Sequence, residues 1–143
     1  MAVTTRVSAR LDGAMGFRAE TPSGHEVLMD ASPEVGGENR GVRPLELLLV
    51  GLAGCTGMDV ISILRKMRQD VTGYEVSVSG ERADEHPRVY TRIVVEHILR
   101  GRGLVEANVA RAVELSATRY CSASAMLEKA ARVEHRYTIV EEA

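Results

Sequence analysis

One long apolar segment, from Leu45 to Leu64, constrains this chain more than any other feature. Pro44 suits the first position of a helix and Gly73 can end one, so the segment is predicted to be a single long helix. Apolar residues lie nearly all the way round it, and a helix without a polar face must be surrounded. A chain of 143 residues has difficulty covering such a helix alone. The segment therefore indicates a second subunit.

The same segment is long enough to span a membrane. It contains Glu46, Asp59 and three glycines, however, which favour a buried helix of a soluble protein. Gly51, Gly54 and Gly57 each cost about 1 kcal/mol relative to alanine in a helix interior. Close approach of another backbone, such as a second helix, would explain them, and glycine tolerated in a well-packed core is the alternative.

The remaining segments are predicted from their periodicity and turn residues. Strands are predicted at 3–11, 16–21, 25–30, 74–82, 89–99 and 133–140, a loop at 31–41, and helices at 104–118 and 122–131. This order indicates an α+β fold with helices packed on antiparallel sheet. Because the sequence has no repeat or linker, residues 1–143 are predicted to form one domain, completed by a partner copy.

Composition excludes several classes of protein. Apolar residues make up 45% and charged residues 27%, so the chain can bury a core, but only 3% are aromatic. The net charge is −2, and there is neither a basic block nor an aromatic platform for stacking bases, which argues against nucleic-acid binding. The N-terminal segment has no signal-peptide pattern, so the protein is expected to be cytoplasmic, without a membrane partner and with reduced cysteines.

Cys55 lies inside the long apolar helix with glycines on both sides. Free cysteine is among the most buried residue types, so a structural role is the first interpretation. The glycines leave room for a substrate or a partner group to reach the sulfur. A position in the middle of a helix receives little help from the dipole, so activating this thiol would require a nearby cation.

Cys121 lies at the predicted start of the last helix, after Arg119 and before Ser122. Free N–H groups, the helix dipole and the neighbouring cation favour a thiolate there. A helix cap or a small buried residue is the competing interpretation. Two such cysteines could form a peroxidatic and resolving pair, although their spacing alone does not show that they meet.

Other candidate residues carry weaker signals. The four histidines are scattered singly and no metal-binding spacing is present, so neither a metal site nor a cofactor is predicted. Ser122 and Ser124 are interpreted as hydroxyls at a helix start, because no nucleophile-elbow motif surrounds them. Arg40 and Arg43 precede the long helix and could fold back over Cys55 or be solvated.

The segment Arg43-Pro44-Leu45-Glu46-Leu47-Leu48-Leu49, followed by Gly54-Cys55 and later by Arg119-Tyr120-Cys121-Ser122, resembles the OsmC/Ohr family. This family comprises the osmotically inducible and organic hydroperoxide resistance proteins. The proline-to-cysteine interval, the separation of the two cysteines and the order of elements all fit, so the resemblance covers nearly the whole chain.

The resemblance implies an intertwined homodimer in which antiparallel sheets wrap around paired central helices. It also implies a thiol peroxidase with a role in stress response. On this pattern Cys55 is the peroxidatic cysteine that attacks an organic hydroperoxide, and Cys121 is the resolving cysteine. A dithiol, such as a lipoylated protein, is the implied reductant.

The match to the family's activating residues is incomplete. The peroxidase branches place a glutamate directly after the proline and use it to hold an arginine near the sulfur. Here Leu45 follows the proline and the acid is Glu46, which lies about 100° further round the helix. Arg18 and Arg40 are near the family's arginine position but displaced. Glu46 and Arg40 are the candidates for the activating pair, and the alternative function is a non-enzymatic redox sensor or small-molecule binder.

Overall fold

The computed structural model describes residues 2–143, which form two compact units divided between Leu48 and Leu49. The first unit contains a three-stranded antiparallel sheet whose strands follow chain order. Its strands are β1 (Ser8–Asp12), β2 (Gly16–Glu20) and β3 (Glu26–Met29). Gly13 and Gly24 make the two turns in the left-handed region, at φ of 86° and 85°, which glycine adopts without strain.

Helix α1 (Pro44–Lys66) confirms the long helix predicted from the apolar segment. Its first turn is closed by Glu46, whose Oε1 accepts the backbone N–H of Arg43 at 2.7 Å. The helix ends at Lys66, earlier than the predicted stop at Gly73, because strand β4 already begins at Asp70. One face of α1 is buried at four-residue spacing, through Leu52, Thr56, Val60 and Leu64.

The opposite face of α1 is open. Val50 is 58% exposed and Met58 is 73% exposed. A Cβ atom added at Gly51 or Gly54 would meet nothing within 4 Å, whereas one at Gly57 would meet the Val76 side chain at 3.4 Å. Among the described residues, no second backbone therefore approaches Gly51 or Gly54.

By length and composition α1 could cross a membrane, a test that core helices of soluble proteins also pass.

The second unit contains a three-stranded sheet covered by helices on one side. Its strands are β4 (Asp70–Arg82), β5 (Tyr90–Arg102) and β6 (Arg132–Glu141), and the segment between β5 and β6 contains α2 (Glu106–Leu115), a π-helical turn (Ser116–Tyr120) and α3 (Ser122–Leu127). Strands β4 and β5 pair antiparallel, as predicted for this hairpin. Strand β6 lies parallel to β5, so the expectation of antiparallel pairing is wrong for this strand. The reason is that the helical connection returns the chain to the same end of the sheet.

The α+β class is confirmed, with adjustments at element ends. The first strand begins at Ser8 rather than at residue 3, and α2 ends at Leu115, where the π-helical turn takes over. The core of the second unit is aliphatic, as the low aromatic content requires. It joins α1, β5 and α2 through Val60, Leu64, Leu99, Val109, Ala112 and Val113.

Candidate redox site

The two cysteines, 66 positions apart in the sequence, meet within the second unit. The pKa of the Cys121 thiol is raised to about 11, mainly by burial, and the hydrogen bond and charge of Cys55 contribute in the same direction. That interaction places the two side chains within hydrogen-bonding reach of each other. Both are free thiols: Cys55 is partly exposed, and Cys121 is only 3% exposed. Of the sequence candidates, these are the two that the structure brings together.

Cys121 is the N-cap residue of α3, as the sequence predicted. Its backbone is extended, and its Sγ accepts the backbone N–H of Ser124 at 3.3 Å. This hydrogen bond lowers the pKa of Cys121, but burial raises that pKa and has the larger effect. Cys121 therefore remains a thiol at neutral pH and can donate its S–H.

A buried polar contact fixes the approach of α1 to the segment that carries Cys121. Thr56, the residue after Cys55, is fully buried, and its Oγ1 lies 2.8 Å from Oγ of Ser116 in the π-helical turn. The Ser116 hydroxyl also donates to Asp59 Oδ2 at 3.0 Å. The negative charge of Asp59 further disfavours a thiolate at Cys121.

A second polar array lies beside the sulfur pair, on one face of the β4–β5–β6 sheet. The hydroxyl of Tyr74 lies 2.6 Å from Nδ1 of His97, whose Nε2 lies 3.5 Å from Nδ1 of His135. Nε2 of His135 lies 3.3 Å from Oγ of Ser124, the residue that also contacts Cys121. The rings stack at centroid distances of 6.0 Å and 5.8 Å.

The groups of this array are neutral at physiological pH. The pKa of His97 is lowered to about 4, mainly by burial and in smaller part by the neighbouring His135. Burial also lowers the pKa of His135, against an opposing effect of Glu128. Burial, aided by the charge of Asp59, raises the pKa of Tyr74 well above its ordinary value. Each neutral imidazole has one donor and one acceptor nitrogen, so the array forms a continuous chain of hydrogen bonds.

Arg40 and Glu46 belong to the first unit, where each has partners of its own. Arg40 donates to the backbone carbonyl and the carboxylate of Asp12, and its Nε lies 3.8 Å from Asp30. Glu46 closes the first turn of α1 through Arg43. Arg18, the other displaced arginine, pairs with Asp12 at 3.1 Å. The assignment of Arg40 and Glu46 to the activation of Cys55 stays a prediction.

Several residues of the site were not among the sequence candidates. Asp59 lies one helical turn after Cys55, on a face that the sequence showed only as an exception to an apolar run. His97 lies in a strand whose alternate positions, Val95 and Leu99, are fully buried, so period-two alternation placed an imidazole in the core. Within residues 2–143, no group of three or more His, Cys, Asp or Glu side chains could hold a metal ion.

Comparison with known proteins identifies the family of this chain. The family model described as OsmC-like protein matches residues 37–136. The chain belongs to the OsmC family. Protein YhfA of Escherichia coli K12 is 45% identical over 124 residues, which cover 87% of this chain and 90% of YhfA.

Solved structures of OsmC relatives share the fold. A hypothetical protein from Aquifex aeolicus is 30% identical, with a TM-score of 0.87, over 99% of this chain and 100% of that one. An organic hydroperoxide resistance protein OsmC from Legionella pneumophila is 19% identical, with a TM-score of 0.67, over 96% of this chain and 98% of that one. Membership of the OsmC family supports a redox or stress-related role.

Proposed function

We propose that this OsmC-family protein is a thiol peroxidase that reduces organic hydroperoxides, with Cys55 as the peroxidatic and Cys121 as the resolving cysteine. The observation that carries the proposal is the contact between a partly exposed Cys55 and a buried Cys121. A peroxidatic sulfur must be reached by substrate, and a resolving sulfur must be reached by the first sulfur. The similarity to the Legionella protein, which is described as an organic hydroperoxide resistance protein, supports the same chemistry.

The first step forms an S–O bond. The Cys55 thiolate attacks the terminal oxygen of the hydroperoxide, the O–O bond breaks, and the leaving alkoxide takes a proton to become an alcohol. Cys55 is left as a sulfenic acid. Cys121 then attacks the Cys55 sulfur, so that the S–S bond forms, the S–O bond breaks and water leaves. A dithiol then reduces the disulfide and is itself oxidised to a cyclic disulfide. The dithiol of a lipoylated protein is one example.

The experiment is peroxide consumption with cumene hydroperoxide, first without and then with a dithiol. We expect the unaltered protein to turn over only when the dithiol is present, and the variant Cys55→Ser to consume no peroxide. The matched control is Cys121→Ser, which should consume about one equivalent and accumulate a sulfenic acid on Cys55. Consumption that persists in Cys55→Ser would remove the proposal.

A non-enzymatic redox sensor is the second candidate, and Asp59 favours it. The negative charge of its carboxylate raises the pKa of Cys121 and disfavours the thiolate that would resolve oxidised Cys55. A sensor would be oxidised once by hydroperoxide and would be reduced by dithiol too slowly to sustain turnover. The same assay separates the two candidates, because a peroxidase consumes many equivalents and a sensor consumes one.

We also propose that the protein is a cytoplasmic homodimer whose subunits join through the open face of α1. That face exposes Val50 and Met58, and nothing in the described chain lies over Gly51 and Gly54. Glycines without a neighbour give the close backbone approach that two helices need. Met58→Glu tests this surface, because a residue 73% exposed tolerates charge in an isolated subunit. We expect a monomer by analytical ultracentrifugation, whereas Met126→Glu, at an equally exposed methionine of α3, should remain a dimer.

A further inference from the structure

Asp59 is a partly buried carboxylate without a positively charged partner. Its Oδ2 accepts the hydroxyl of Ser116 at 3.0 Å, and the Ser116 hydroxyl also lies 2.8 Å from Oγ1 of Thr56. Within residues 2–143, no arginine, lysine or histidine forms an ion pair with it. A carboxylate removed from water is normally paired with a cation, because the lost hydration is otherwise uncompensated. The charge of Asp59 is therefore available to a cation that enters the site.

The same carboxylate lies on the side of α1 that carries the nucleophile. Asp59 follows Cys55 by four positions, so the two side chains are neighbours on the helix surface, with Cβ atoms about 5–6 Å apart. Both side chains are partly exposed. The hydrogen bond from the fully buried Ser116 holds the carboxylate in place. A molecule that reaches the Cys55 sulfur therefore comes close to a fixed negative charge.

The charge of Asp59 acts on several groups of the site. Burial is the main cause of the raised pKa values of Cys121 and Tyr74, and the charge of Asp59 contributes to both. Arg119, which lies two positions before Cys121, is exposed, and its guanidinium carbon lies 5.4 Å from the centroid of the Tyr120 ring. A cleft lined by one sign of charge raises the local concentration of ligands of the opposite sign. This site therefore favours cationic ligands.

We propose that Asp59 makes Cys55 react preferentially with substrates that carry a positive charge close to the reacting group, such as an organic hydroperoxide or a disulfide that bears an ammonium group. The inference rests on the proposed function and deepens it, because it names the class of substrate that Cys55 attacks. The carboxylate attracts such a substrate and repels one that carries a carboxylate at the same place. Asp59 takes no part in bond making, so it is a specificity-determining residue rather than a catalytic one.

The test compares three small disulfides of different charge at neutral pH: cystamine, a dication; hydroxyethyl disulfide, which is uncharged; and dithiodiglycolate, a dianion. The Cys55 thiolate attacks one sulfur, a new S–S bond forms, the old one breaks, and the departing thiolate takes a proton from water. Mass spectrometry after an acid quench follows the loss of the fully reduced protein. Each rate is divided by that of a small uncharged thiol with the same disulfide, which removes the intrinsic reactivity of the disulfide.

In the unaltered protein we expect the corrected rate with cystamine to exceed that with dithiodiglycolate by about a hundredfold, with the uncharged disulfide between them. The decisive variant is Asp59→Asn, which removes the charge and keeps an oxygen that can accept the Ser116 hydroxyl. Its ratio of cationic to anionic rates should fall to about one. Asp59→Glu keeps the charge and should retain most of the ratio. Glu128→Gln removes an exposed charge of the same sign and, as the matched control, should leave the ratio unchanged.

The ratio of rates separates a direct effect of charge on the substrate from an effect on Cys55 itself. A variant that changes only the ionisation of Cys55 changes all three rates by the same factor and leaves the ratio as it was. Added salt gives a second measurement that needs no variant. At an ionic strength of about 1 M the screening length is about 3 Å, so the ratio in the unaltered protein should decrease several-fold.

Three results would overturn the inference: a ratio near one in the unaltered protein, equal ratios in Asp59→Asn and the unaltered protein, or a ratio lost in Asp59→Glu as well, which would indicate shape rather than charge. The outcome is independent of the peroxidase assay. A protein that discriminates between the disulfides but consumes no hydroperoxide would refute the proposed function and keep the charge selectivity of Cys55. A protein that consumes hydroperoxide and treats the three disulfides alike would do the reverse.

Discussion

The two units of this protein handle their polar side chains in opposite ways. In the first unit, Asp12, Arg18 and Arg40 are charged, partly exposed and joined in ion pairs. In the second unit, His97 and its neighbours are buried and neutral, and they are joined by hydrogen bonds. Water screens a charge at the surface, whereas burial removes the charge by shifting the pKa.

This difference separates the acid responses of the two units. The histidines of the second unit resist protonation. The free energy of unfolding therefore depends on them in the pH range between their unfolded and folded pKa values. The carboxylates of the first unit also resist protonation, because arginines and backbone N–H groups favour their charged form and lower their pKa values. Their effect falls at lower pH.

The largest expected effect is a loss of stability between pH 6.5 and about 4, caused by His97. Its pKa is depressed from 6.5 to about 4, so the unfolded chain binds more protons throughout that range. Its contribution to the free energy of unfolding is complete above pH 6.5. As the pH is lowered to about 4, that free energy decreases by about 3 kcal/mol in total. Urea denaturation across this range measures it.

His97→Phe is the variant for this measurement, since it keeps a ring but cannot be protonated. We expect a lower free energy of unfolding at pH 7 and a flatter dependence between pH 6.5 and 4. The exposed His86→Gln should keep the original slope. An unchanged slope in His97→Phe would show that His97 is already protonated in the folded protein.

The next effect is that of Tyr74→Phe. It removes the hydroxyl that lies 2.6 Å from Nδ1 of His97 and leaves that nitrogen without its partner in the core. An unsatisfied buried polar group costs about 1–3 kcal/mol, so the free energy of unfolding at pH 8 should fall by that amount. Tyr120→Phe, at a tyrosine 51% exposed, is the control and should be nearly neutral. Equal effects of the two substitutions would contradict the buried hydrogen bond.

A smaller effect is expected in the first unit at lower pH. The Asp30 carboxylate accepts backbone N–H groups from Ala31, Glu38 and Arg40, and these bonds hold its pKa below the usual 3.8. Its contribution is therefore present above pH 3.8 and is lost as the pH falls through the lower, folded value. Asp30→Asn should remove this part of the acid response and leave the part between pH 6.5 and 4 intact. Stability of the variant measured from pH 5 to 2 provides the check, with the exposed Glu34→Gln as control.

Local patterns in the sequence predicted part of this architecture. Proline, apolar periodicity and basic residues predicted α1, and the position of Cys121 at the start of α3 followed from residue types alone. These features depend on neighbours within one or two turns. The meeting of Cys55 and Cys121 was implied by the family resemblance rather than by spacing.

The buried array could not be predicted in the same way. His97 and His135 meet because β6 pairs with β5 in a parallel register, with Val95 opposite His135. That register depends on the connection through α2 and α3, which joins the two strands, and not on any local signal. The π-helical turn that carries Ser116 to Asp59 is also a tertiary feature, because the sequence there reads as continuous helix.

The smallest expected change in stability is that of Arg40→Met, and it tests the sequence-based role of Arg40. Its ion pairs are partly exposed, with the Arg40 side chain 35% accessible, so we expect a loss below about 1 kcal/mol. A variant this stable makes kinetics interpretable. The measurement is the rate at which Cys55 attacks an aromatic disulfide and releases a coloured thiolate. If Arg40 activates Cys55, this rate should fall in Arg40→Met and not in Arg18→Met, which removes a neighbouring member of the same network. Equal rates in both variants would show that Arg40 acts only in the ion pairs of the first unit, and that Cys55 is activated by a different cation.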